Sequence, residues 1–66
     1  MPKTLEELAQ MIAVRDGISY NEALSIVHDC TIEMENAFMS GSLDEAEDIL
    51  RDFLSLEPDY LDLFIF

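Results

Sequence analysis

From Ser19 to Met39 the chain carries its longest unbroken helical signal. At 3.6 residues per turn, Tyr20, Ala23, Leu24, Val27, Cys30, Thr31, Met34, Ala37 and Phe38 fall on one mostly apolar stripe. The opposite side carries Glu22, Ser25, Asp29, Glu33 and Asn36, which lose little by staying hydrated. This pattern predicts an amphipathic helix over Tyr20 to about Met39. Ile32 and Met39 depart from it: at 100° per residue both land well away from the line through Val27 and Met34, and they mark a second contact surface.

Two shorter segments repeat the pattern. A first helix is predicted from about Leu5 to Arg15, with Leu5, Leu8, Met11 and Ile12 inward and Ala13 and Val14 off the stripe. A third is predicted from Leu43 to about Leu54, with Leu43, Ala46, Ile49, Leu50, Phe53 and Leu54 inward. Each of the three starts on a hydroxyl residue followed three places later by glutamate: Thr4 with Glu7, Ser19 with Glu22, Ser42 with Glu45. This spacing is a capping box, in which the hydroxyl accepts from the third amide of the helix while the glutamate reaches back to the cap. Asp16-Gly17 and Ser40-Gly41 supply the stops, because glycine takes the left-handed conformation without a Cβ clash. Pro58 ends any continuation of the third helix and suits the start of a short fourth one over Pro58 to Leu63. The C-terminal tail, with Leu61, Leu63, Phe64, Ile65 and Phe66, is nearly all apolar, so it either folds back on the core or meets another chain. The expected architecture is therefore all-α: a single domain over 1–66, built as a three-helix bundle with a long central helix and a short C-terminal fourth helix or turn.

Composition changes this picture in one respect. Half of the 66 residues are hydrophobic, yet a chain this small buries only about 60% of the surface its unfolded form exposes. Some apolar surface is left over, and self-association, with a dimer favoured, or burial against a protein partner is a physical expectation. The candidate interaction surface is Ile32, Met39, Leu61, Phe64, Ile65 and Phe66.

Charge narrows the partners. Fifteen Asp and Glu stand against Lys3, Arg15 and Arg51, a net charge of −12, which disfavours direct contact with nucleic acid or anionic lipid. Asp44, Glu47, Asp48 and Asp52 form a carboxylate row on the third helix. Its plain meaning is a solvated face; its sharper meaning is an acidic docking face that imitates DNA phosphates before a basic host protein. No basic opening followed by an apolar run and no apolar stretch near the ~20 residues of a membrane span occur, so neither a secretory leader nor a span is expected. The one cysteine, Cys30, sits on the apolar stripe as a small hydrophobe, and a reducing cytoplasmic setting fits it.

Candidate chemistry is sparse. His28, Asp29, Cys30 and Glu33 are metal-ligand types, but His28 lies about 160° around the helix from Cys30, and no metal site is expected. No hydroxyl or thiol accompanies a histidine and an orienting group in a nucleophilic motif, so neither an enzyme nor a cofactor is expected. Gly41-Ser42-Leu43-Asp44 is similar to the prosthetic-group site of acyl carrier proteins, yet Gly41 stands where that motif has aspartate, and Ser42 reads as a helix cap.

One family resemblance covers about a third of the chain. Ala37, Gly41 at the turn, Leu43, Glu45-Ala46, Leu50, Phe53-Leu54, Leu56 and Pro58-Asp59 resemble, at the right spacing, the second part of a tetratricopeptide repeat. The first half of that motif is missing, with Cys30, Glu33 and Met34 at its tryptophan, leucine and glycine positions. The resemblance implies a helical hairpin that binds a peptide or another protein, although about three stacked units normally make the groove. In size and charge the chain also resembles the short acidic helical proteins of phages and mobile elements, whose function is unknown.

Overall fold

The computed structural model describes residues 2–65. Among them the chain is all helical and has no strand: α1 spans Leu5–Asp16, α2 Tyr20–Met39, α3 Leu43–Leu54, and a 3-10 helix Pro58–Phe64. The boundaries follow from local chemistry. Glu7 N–H donates to Thr4 Oγ1 at 3.1 Å, Glu22 N–H to Ser19 Oγ at 3.1 Å, and Glu45 N–H to Ser42 Oγ at 3.2 Å. The hydroxyl arm of each capping box is thus formed. The carboxylate arm departs from the expected geometry: Glu7 Oε2 accepts from the Lys3 amide at 2.7 Å, one residue outside the cap, and the Ser42 amide donates to Ala37 O rather than to Glu45.

The stops are as local as the starts. Gly17 sits at φ 67° and Gly41 at φ 76°, both in the left-handed region that an L side chain resists. Beyond them the chain closes back: Ile18 N–H donates to Ala13 O at 3.1 Å, and Ser42 N–H to Ala37 O at 3.1 Å. These six-residue closures are the Schellman arrangement, and they satisfy carbonyls that the helix leaves open. At the end of α3 the same left-handed position, φ 55°, falls to Ser55 instead of glycine.

Connections of three residues make successive helices neighbours, and α2 packs against both α1 and α3, while the 3-10 helix packs against α3. A helix of 20 residues is about 30 Å long, so α2 alone sets the 33 Å long dimension of the molecule. The buried side chains are Leu8, Ile12, Val27, Cys30, Met34, Leu50, Leu54, Leu56 and Phe64, interleaved with Ala9, Ala13, Ala23, Ala37 and Ala46. The inward face of α1 runs through Leu8, Ala9, Ile12 and Ala13, rotated from the expected stripe, which puts Ala13 inside and Met11 at the edge. Thr31 keeps its place on the half-buried flank because its hydroxyl donates to Val27 O at 2.9 Å.

Three expected core positions are exposed in the structure. Tyr20 and Leu43, each the first residue of its helix, are exposed. Phe53 is 45% exposed, lying about 60° around α3 from the line through Ala46, Leu50 and Leu54. Leu5, Met11, Leu24, Thr31, Phe38 and Ile49 are half-buried at the core's edge, and Met11 accepts the Tyr60 hydroxyl on its Sδ at 3.8 Å, which ties the C-terminal segment to α1.

Candidate functional site

One face of α2 runs through Leu24, His28, Thr31, Ile32, Glu35 and Met39 at intervals of three and four; His28, Ile32, Glu35 and Met39 are exposed on it, and Leu24 and Thr31 are half-buried at the edge toward α1. Groove space opens at each end of this face. Near its N-terminal half, Leu5 and Glu6 of α1 face Leu24, His28 and Thr31 across a groove of about 510 Å³. Near its C-terminal half, Phe38, Met39, Leu43, Ile65 and Glu35 surround a second groove of about 510 Å³ floored by Phe64. A smaller groove lined by Leu5, Leu63 and Ile65 joins the two regions beside Lys3, Glu6 and Asp62.

The exposed apolar surface concentrates at the second groove. Met39 is 86% exposed, Leu43 59% and Ile65 56%, and Ile32, one heptad before Met39 on α2, is 47% exposed. The sequence therefore locates three members of the candidate interaction surface, Ile32, Met39 and Ile65, on accessible positions. Leu61 is half-buried against the core. Phe64 requires correction: it is 1% exposed, because the 3-10 helix turns its ring inward to close the bundle end, so it supports the surface from beneath. Phe66 lies outside the described residues. Leu43 belongs to the surface instead of the core, and its position directly after the Ser42 cap is the signal that distinguishes it.

The carboxylate row divides. Asp48 and Asp52 line a groove of about 430 Å³ between α2 and α3, where Glu33 of α2 and Glu45 join them. Asp44 is exposed outside this groove, and Glu47 lies half-buried on another side of α3. Arg51 tempers the cluster: its Nη2 lies 2.8 Å from Asp48 Oδ1 and its Nε 3.6 Å from Asp52 Oδ1. Both pairs are exposed and within one helix, so each contributes little to stability. On α1, Arg15 Nε donates to Asp16 Oδ1 at 2.8 Å; that hydrogen bond holds the Asp16 carboxyl below its ordinary range and raises Arg15.

Reactive groups stay apart. Cys30 is fully buried, and burial, followed by the nearby Glu33 charge, pushes its thiol up to about 11, so it is protonated at neutral pH. His28 is exposed on the far side of the same helix. Among the described residues the core holds no polar or charged side chain, no three His, Cys, Asp or Glu side chains converge as metal ligands, and no helix is long and apolar enough to cross a membrane. No protein-family model, curated protein or solved structure matches the chain.

Proposed function

We propose that this chain is a small, non-enzymatic, acidic helical protein-interaction module that self-associates, folded as a three-helix bundle about α2 and acting in the cytoplasm. The observation that carries the reading is the grouping of Met39, Leu43 and Ile65, all more than half exposed, around one groove. Covering a large aliphatic side chain completely contributes about 1.5–3 kcal/mol, so side chains this exposed represent several kcal/mol of association free energy. The hairpin of α2 and α3, which resembles one tetratricopeptide unit, supplies the rigid support. A cytoplasmic setting accords with a buried, unpaired cysteine.

Sedimentation at micromolar concentration tests this. The expected result is a dimer or larger species that Met39→Ser, at a position outside the core, shifts toward monomer. A clean monomer across the concentration range overturns the reading.

A second reading rests on a different observation. Glu33, Glu45, Asp48 and Asp52 gather along the α2/α3 groove in a chain of net charge −12, as in a phage-type nucleic-acid mimic docking on a basic host protein. Electrostatic capture of that kind weakens steeply with salt. Binding to a basic partner that survives 0.5 M salt, or that is unchanged by neutralising Asp48 and Asp52, removes this alternative.

A further inference from the structure

The open face of α2 is complementary to itself. Leu24 and Met39, His28 and Glu35, and Thr31 and Ile32 form three pairs equidistant from the midpoint between Thr31 and Ile32. When two copies of such a helix lie antiparallel about a twofold axis through that midpoint, each residue meets the other member of its pair. Leu24 then packs on Met39, Thr31 and Ile32 pack at the centre, and His28 of each copy faces Glu35 of the other.

We infer that a second copy of this chain docks here, α2 against α2 and antiparallel, with two symmetric His28–Glu35 contacts fixing the register. This inference rests on the self-association reading above and names the interface within it. Three observations favour this occupant. His28, Ile32, Glu35 and Met39 are exposed, while Leu24 and Thr31 at the α1 edge are half-buried, so four of the six seam positions are open to a partner. The seam follows the intervals of three and four at which packed helices interlock, over about 22 Å of helix axis between Leu24 and Met39. Charge decides between faces: two copies of a −12 chain repel wherever carboxylates meet, and the α2/α3 groove would bring Glu33, Glu45, Asp48 and Asp52 against their own copies. The seam carries a single carboxylate, Glu35, placed where symmetry offers it an imidazole. Glu6 of α1 borders the seam beside Leu24 and His28, and Asp62 lies farther along that flank near Lys3.

Polar pairs of this kind fix register more than they add affinity, whereas the apolar pairs supply the attraction. Met39→Glu therefore abolishes pairing at concentrations where the parent is dimeric. His28→Glu sets like charges face to face and weakens the dimer about tenfold or more. Adding Glu35→Lys to His28→Glu recovers the association, because opposite charges again meet across the axis. Within one helix the two positions are separated by two turns, about 10 Å, so the rescue is intermolecular.

Orientation is read by cross-linking in a Cys30→Ala background. Met39→Cys chains mixed with Leu24→Cys chains are expected to form the mixed disulfide, whereas Met39→Cys chains alone do not cross-link. Sedimentation and far-UV circular dichroism of the full chain complete the experiment, the latter confirming that each variant remains helical. A dimer indifferent to both Met39→Glu and His28→Glu, or one cross-linked through Met39→Cys alone, overturns this interface and leaves self-association standing on another face. A monomeric parent overturns both.

Discussion

The two sides of α2 have opposite chemistry. On one side Leu24, Ile32 and Met39 leave apolar surface open with Glu35 as the one carboxylate; on the other, Glu33 joins Glu45, Asp48 and Asp52 along the α2/α3 groove. Magnitudes separate what these sides can do. Covering an exposed aliphatic side chain yields about 1–2 kcal/mol, whereas an exposed ion pair yields about 0.2–1 kcal/mol and is screened by salt. The apolar side is suited to holding a partner, and the acidic side to keeping the remainder of the molecule dissolved or to steering a basic protein.

The largest test of this contrast concerns what lies beneath the apolar side. Phe64 floors the C-terminal groove and is 1% exposed, so Phe64→Ala removes a core ring and is expected to destabilise the fold by about 3–5 kcal/mol. Met39→Ser, at the rim of the same groove, should change stability by less than about 0.5 kcal/mol while weakening association. Urea denaturation of both variants checks the pair. Equal losses would erase the distinction between floor and rim.

Cys30 tests the part of α2 between its two outer sides. The folded chain holds the thiol proton up to about pH 11, whereas the unfolded chain releases it in the ordinary thiol range. Between those values the unfolded state binds fewer protons, so stability falls as pH rises through the window and is unaffected below it. The expected loss approaches about 2 kcal/mol near pH 11, and Cys30→Ala should remove that slope. Equal slopes for parent and variant between pH 9 and 11 would show that Cys30 is not sealed in.

Ser55 tests a smaller energy on the α3 side. It occupies the left-handed position at φ 55° that ends the helix, where glycine avoids the Cβ clash at some cost in chain entropy. Ser55→Gly should stabilise the fold by about 0.5–1 kcal/mol, read as a rise in the denaturation midpoint, with no change in association. A drop in stability would mean that the serine side chain contributes more than its backbone strain costs.

Helix limits were legible in the sequence because caps and stops are local: Ser19, Ser42, Gly17 and Gly41 do what their chemistry dictates whatever surrounds them. Burial was less legible, since periodicity specifies an angle around a helix and not a depth along it. Leu43 has an inward angle yet lies at the first position of α3, past the end of the packed core. Ala13 is buried because the inward face of α1 runs through Leu8, Ala9, Ile12 and Ala13, rotated from the stripe that the larger side chains Leu5, Leu8, Met11 and Ile12 suggest. Phe64 depends on the 3-10 turn after Pro58, whose rotation per residue differs from that of an α-helix, so no α-helical stripe could orient its ring. Exposure was accordingly legible where a single helix face decided it, at Ile32 and Met39, and misread at Phe64, where the path of the tail decided it.

The smallest expected effect bears on the acidic side. Replacing Asp48 and Asp52 together by Asn removes two contacts to Arg51, each worth less than about 1 kcal/mol at an exposed site, and also lowers the repulsion within a −12 chain. The terms oppose one another, so low-salt stability should stay within about 0.5 kcal/mol of the parent. Their salt dependences differ, because added salt screens the parent's larger self-repulsion more. Parent stability should therefore rise more steeply between low and moderate salt than that of the double variant, while the dimer equilibrium of both stays alike, since neither position touches the apolar seam. A double variant that dissociates would place Asp48 and Asp52 in the contact and dissolve the division between the two sides of α2.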